Sequence, residues 1–119
     1  MFIIDDSKNM YLNRGDQITI ILTANQDFAI GDIIKFSIVK EKDYSSVIFQ
    51  KTFTVDEQSD TFEITLTSEE TKLEDLIKDK TVTYWYEIEL NDNDTLVGYD
   101  DDGPKLFVLW PEAPLKKEG

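Results

Sequence analysis

The chain of 119 residues contains no cysteine and no histidine, and only one of its 12 basic residues is an arginine, Arg14. Without cysteine there can be no disulfide, zinc–thiolate site or thiol chemistry, and no commitment to an oxidising compartment. Without histidine the usual general base and the commonest transition-metal ligand are missing. No apolar run approaches the roughly 20 residues of a membrane span. The opening "MFIIDDSKNM" has a short apolar run followed by acids, unlike a secretory signal. The expectation is a soluble protein made in a cytoplasm, with no membrane partner. Bases are also scarce against 25 acids, which leaves a net charge of −13. Such a surface repels phosphate backbones, so nucleic acid is not an expected partner. It suits a very soluble protein, or an acidic mimic of nucleic acid.

What is present is a core. Hydrophobic residues make up 40% of the chain and aromatics 12%, enough for one packed domain, expected over residues 1–111 with a flexible tail over 112–119. Period-two runs recur at 17–23 (Ile18, Ile20, Leu22), 33–40 (Ile34, Phe36, Ile38), 47–55, 60–67, 82–90, 95–99 and 105–110. In the run at 47–55 Lys51 falls on the apolar face and must snorkel or sit at an edge. Gly15 and Gly31, each followed by Asp, mark turns, and "EKDYSS", "DEQSD" and "NDND" read as polar hairpin loops. "TSEETKLEDLIK" breaks the pattern: Thr67 and Glu70 stand at capping-box spacing, and Leu73, Leu76 and Ile77 recur at helical spacing. This predicts one short crossover helix at about 68–77. The fold class expected is all-β, an antiparallel immunoglobulin-like sandwich of about seven to eight strands, with Tyr84 placed for a tyrosine corner.

Few motifs carry chemistry. Arg14-Gly15-Asp16 is the adhesion tripeptide by letter and a turn by pattern, and the turn is the preferred reading. Asp92, Asp94, Asp100, Asp101 and Asp102 could offer oxygens to a hard cation, but without an EF-hand's spacing they read as solvated loops, so no metal is expected. There is no phosphate loop and no nucleophile–base pair, so neither an enzyme nor a cofactor is expected. The strand "VTYWYEIEL" poses a different problem. Val82, Tyr84, Tyr86, Ile88 and Leu90 form its core face, while Trp85 shares the other face with Thr83, Glu87 and Glu89. Either the chain covers Trp85 itself, with the "FII" of residues 2–4 or with lysine stems, or Trp85 anchors a partner. Trp85, Tyr99, Phe2 and Ile3 are the interface candidates.

In succession, "MYLNRGDQITIIL", "IGDIIKFSIVK", "IFQKTFTV", "FEITLTSEET", "YWYEIEL" and "PKLFVLW" resemble the small immunoglobulin-like N-terminal domain of phage baseplate upper proteins and related phage tail or fibre proteins. The resemblance covers nearly the whole chain. It departs in lacking a "GxY" before the aromatic strand, and the sequence stops about nine residues after its last strand, where further domains usually follow in that family, which leaves either a truncated chain or a stand-alone accessory subunit. It implies a non-enzymatic structural module of the virion tail or baseplate, made in the bacterial host cytoplasm. Its partners would be other virion proteins, with a homo-oligomer as one form. The readings set against it are a nucleic-acid-mimic inhibitor of a host enzyme and a carbohydrate-binding or adhesin module stacking sugar on Trp85 and Tyr99.

Overall fold

A computed structural model describes residues 2–41, 46–74 and 79–112. In it nine strands run in chain order: β1 (Phe2–Ile4), β2 (Met10–Asn13), β3 (Ile18–Phe28), β4 (Ile33–Val39), β5 (Val47–Thr54), β6 (Ser59–Leu66), β7 (Val82–Leu90), β8 (Asp94–Val97) and β9 (Lys105–Trp110). They form two sheets. The larger has the order β1-β2-β9-β7-β4-β5, with β8 also pairing on β7, and the smaller is β3-β6. All neighbours are antiparallel except β2 and β9, which run parallel, Met10 beside Phe107 and Leu12 beside Leu109. The fold is therefore all-β, with sheets of mixed and antiparallel pairing.

Alternation decides what each sheet buries. Ile34, Phe36 and Ile38 from β4, Tyr84, Tyr86 and Ile88 from β7, and Phe107 and Leu109 from β9 meet Ile18, Ile20, Ile64 and Leu66 of the small sheet in one core. Phe36 stacks on Tyr86 with centroids 5.7 Å apart and meets Phe107 edge-on at 6.3 Å, as aromatic quadrupoles favour. The inward Lys51 sits on β5, at the end of the large sheet, where its ammonium donates to Thr65 O (2.9 Å) and Glu70 Oε1 (2.8 Å).

Four expectations need correction. The strands number nine among the described residues, because β1 and β2, at three and four residues, are too short to show a period. β3 continues to Phe28 through "ANQD", whose polar side chains hide it and where its register with β6 shifts between Thr23 and Phe28. "DEQSD" is not a hairpin, since β5 and β6, which it joins, lie in different sheets. Glu112, assigned to the flexible tail, is instead buried and paired with Arg14. Residues 113–119 lie outside the described residues.

The fourth correction is the helix. The capping-box bonds form, with Thr67 N–H donating to Glu70 Oε1 (2.8 Å) and Glu70 N–H to Thr67 Oγ1 (3.2 Å). They open only a single 3₁₀ turn, Glu70–Lys72, after which Leu73 takes φ of 52° and leaves helical space. The Lys72 carbonyl, which a continuing helix would use, instead accepts Arg14 Nε (2.9 Å), and the Thr71 hydroxyl donates to Asp16 O (2.8 Å). The segment is fastened to the Arg14–Asp16 turn. Leu73 packs half-buried against the core; Leu76 and Ile77 lie outside the described residues.

Beyond that turn the Tyr84 hydroxyl donates to Glu74 Oε2 (2.9 Å), and Glu74 also accepts from Lys40. Burial, then the Glu74 carboxylate, pushes the Tyr84 phenol far up, so it remains a donor. Tyr84→Phe removes one hydrogen bond to a charged acceptor and should cost about 1.5 kcal/mol, read as a lower urea midpoint at unchanged slope. An unchanged midpoint would mean that the crossover is not anchored through this bond.

Candidate functional site

The outward face of the large sheet is divided. Cross-strand register builds one row of Val47, Val39, Trp85 and Leu106, and another of Ile3, Tyr11, Val108 and Thr83. Trp110, beside Asn13, stacks on Tyr11 with centroids 6.0 Å apart. Towards β8 and the far end of β4 the rows turn polar: Gln50, Ser37 and Glu87, then Thr52, Lys35, Glu89 and Thr95. The apolar half is thus bounded on one side by a polar half, as the central patch of a protein interface is.

Trp85 is half-buried in this arrangement, and Val39 beside it is only 2% exposed. The "FII" segment does not cover it. That segment is the edge strand β1, separated from β7 by β2 and β9, and its Phe2 packs against the core while Ile3 stays 41% exposed. The neighbours in the row of Trp85 are Val39 and Leu106. Sequence reasoning missed Tyr11, Leu106, Val108 and Trp110, because which strand lies beside β7 is not written in any local pattern. Tyr99, after β8, is 67% exposed.

The acidic loops are engaged internally. Asp100 Oδ1 accepts from Lys105 Nζ (2.6 Å) and from Asp102 N–H (2.9 Å), and Asp92 pairs with Lys35 (2.5 Å). Among the described residues no group of three or more carboxylates is gathered as a cation would require, so Asp92, Asp94, Asp100, Asp101 and Asp102 are not brought together as one site. The Arg14-Gly15-Asp16 turn is structural. Gly15 takes φ of 87°, Asp16 N–H donates to Asn13 O (3.1 Å), and the Arg14 side chain is buried at 2% exposure. A buried guanidinium cannot be presented to an adhesion receptor.

A cleft of about 390 Å³ opens where β3 passes the ends of β1 and β8, lined largely by apolar residues including Ile4, Leu22, Phe28 and Leu96. The Tyr86 hydroxyl, at its floor, donates to Lys8 O (2.5 Å). Among the described residues no helix is long and apolar enough to cross a membrane. No family profile, curated protein or solved structure matches the chain.

Glu87 and Glu89 share the polar half, and burial, followed by the Glu89 charge, pushes the Glu87 carboxyl up. Several other carboxylates move down: Asp5 through the Asn9 N–H, Asp100 through Lys105, Glu74 through Lys40 and then Tyr84. Burial pushes Glu70 up, but Lys51 and Thr67 together outweigh it and leave it lowered. A lowered carboxyl contributes stability above its unfolded pKa and loses it as pH falls through the folded value; for the raised Glu87 the folded state holds the proton better, so stability falls as pH rises through its window. The melting temperature should hold or rise as pH falls from neutral towards the carboxylate range, as net repulsion falls and the raised Glu87 carboxyl takes up its proton ahead of the lowered ones, and drop once the lowered carboxyls protonate in turn. Glu87→Gln should flatten the upper limb. A steady fall between pH 7 and about 5 would contradict this assignment.

Proposed function

We propose that the chain is a non-enzymatic structural module of a phage or prophage virion, an immunoglobulin-like sandwich that mediates protein–protein assembly in the tail or baseplate. The order β9-β7-β4-β5 corresponds to the G-F-C-C′ sheet of such sandwiches, and β3-β6 to their B-E pair, which supports this fold type. Tyr84, which reaches back to the preceding crossover, stands in the manner of a tyrosine corner, with the Glu74 carboxylate replacing the usual backbone acceptor.

The observation that carries the functional reading is the apolar half of the large sheet's outer face. Trp85, Leu106, Tyr11 and Trp110 stand half-buried on a face that solvent alone would leave polar, next to Glu87 and Glu89. Aromatic anchors beside a charged rim are the usual means by which a module without chemistry holds a neighbour.

The test is coexpression with the products of the adjacent genes and native mass spectrometry of what assembles. The reading predicts tail or baseplate genes as neighbours and a stable complex with one product. Trp85→Ala should weaken that complex at least about tenfold while unfolding stays cooperative. Adjacent genes of unrelated function, or a complex indifferent to Trp85→Ala, would overturn it.

A further inference from the structure

The strand edges of this fold are not equally protected. Natural sheets blunt their edges with short strands, charges or inward-pointing lysines. β1 has three residues, β8 has four and begins at Asp94, and β5 turns Lys51 inward. β6 carries Asp60 and Glu63, and its Thr65 carbonyl accepts the Lys51 ammonium. β3 has none of these devices before Asn25; its one charge, Asp27, and its register shift with β6 fall beyond Thr23. It is 11 residues long, it pairs only with β6 among the described residues, and over Ile18–Ala24, "ITIILTA", it has no charge and no proline. In a chain of net charge −13 this is an uncharged line. Ile21 stands 63% exposed on its outward side. The inward side borders the apolar cleft, so both the backbone edge and the surface beneath it lack a covering element among the described residues.

We propose that this edge pairs with the same edge of a second copy of the chain, antiparallel about Ile21, giving a continuous four-stranded sheet β6-β3-β3-β6. The segment Thr19-Ile20-Ile21-Leu22-Thr23 is nearly palindromic by residue type. A two-fold axis at Ile21 therefore sets Thr19 opposite the partner's Thr23, Ile20 opposite the partner's Leu22, and Ile21 opposite its own copy. That is the self-complementarity an isologous interface needs. Charge selects the same place: two copies this acidic repel each other over most of their surfaces, and the stretch Ile18–Ala24, which carries no carboxylate, is where they can approach. The partner's strand then roofs the cleft. The inference stands on the β3 edge and does not depend on the tail-module reading, which rests on the other sheet at Trp85.

The absence of cysteine makes the test clean, because Ile21→Cys introduces the only thiol. Directly opposed residues in an antiparallel pair have Cα atoms about 4.5–5.5 Å apart, within the range a disulfide spans. Sedimentation of the wild-type chain from micromolar to millimolar concentration should show a monomer–dimer equilibrium. Mild oxidation should cross-link Ile21→Cys far faster than the control Thr52→Cys, which is exposed on β5. Ile21→Lys, which opposes two ammonium groups at the axis, should weaken the dimer at least about tenfold with the melting transition kept cooperative. A monomer throughout that range overturns the proposal and leaves the edge to a strand of a different protein. Equal cross-linking of the two cysteine variants, or a dimer indifferent to Ile21→Lys, overturns it by placing the contact elsewhere.

Discussion

The buried ion pair of Arg14 and Glu112 gathers three stretches of chain at one side chain, alongside the β2–β9 pairing and the Thr71–Asp16 bond. The guanidinium donates to Glu112 Oε1 (2.9 Å) through one nitrogen and to Lys72 O (2.9 Å) through another, and its own backbone N–H donates to Trp110 O (2.9 Å). The end of β2, the crossover after β6 and the end of β9 therefore meet at one planar cation. Lysine could not replace it, because a single ammonium lacks the fixed fork that reaches a carboxylate and a carbonyl in different directions. Taking two charges out of water is expensive, and a pair of this kind contributes less to net stability than its short distance suggests. What it does specify is which ends come together. That accounts for the single 3₁₀ turn that the described part of the crossover forms where side-chain spacing predicts a helix.

The same economy of bases shapes the rest of the molecule. Lys51, Lys40 and Lys105 each hold an acid that belongs to another segment or to a loop: Glu70, Glu74 and Asp100. These cations serve as internal fasteners. The two proposed contact surfaces, the apolar half of the large sheet and the Ile18–Ala24 stretch of β3, are places where acids are few.

The sequence conveyed the strands whose one face is buried and whose other face is polar. The run at 82–90 matches β7 residue for residue through its alternation, broken only at Trp85, and the run at 105–110 matches β9 as a short apolar run bounded by Pro104 and Pro111. It conveyed the Gly15 turn and the capping-box bonds of Thr67 and Glu70 for the same local reason. It did not convey β1 or β2, whose pairing is decided by β9 almost a hundred residues away, nor the end of the helix, which is decided by a side chain from residue 14. For the candidate site, Trp85 stood out because it interrupts a polar face. Trp110, Tyr11 and Leu106 did not, because they join it only through strand order.

The most direct measurement is a double-mutant cycle on Arg14 and Glu112, using Arg14→Met and Glu112→Leu in urea unfolding. If the pair is the clamp described, each single change strands a buried charge and costs about 3–5 kcal/mol, while the double variant loses well under the sum. If the two changes add to within about 0.5 kcal/mol, the two side chains act independently and the ends of the sandwich are held together by something else.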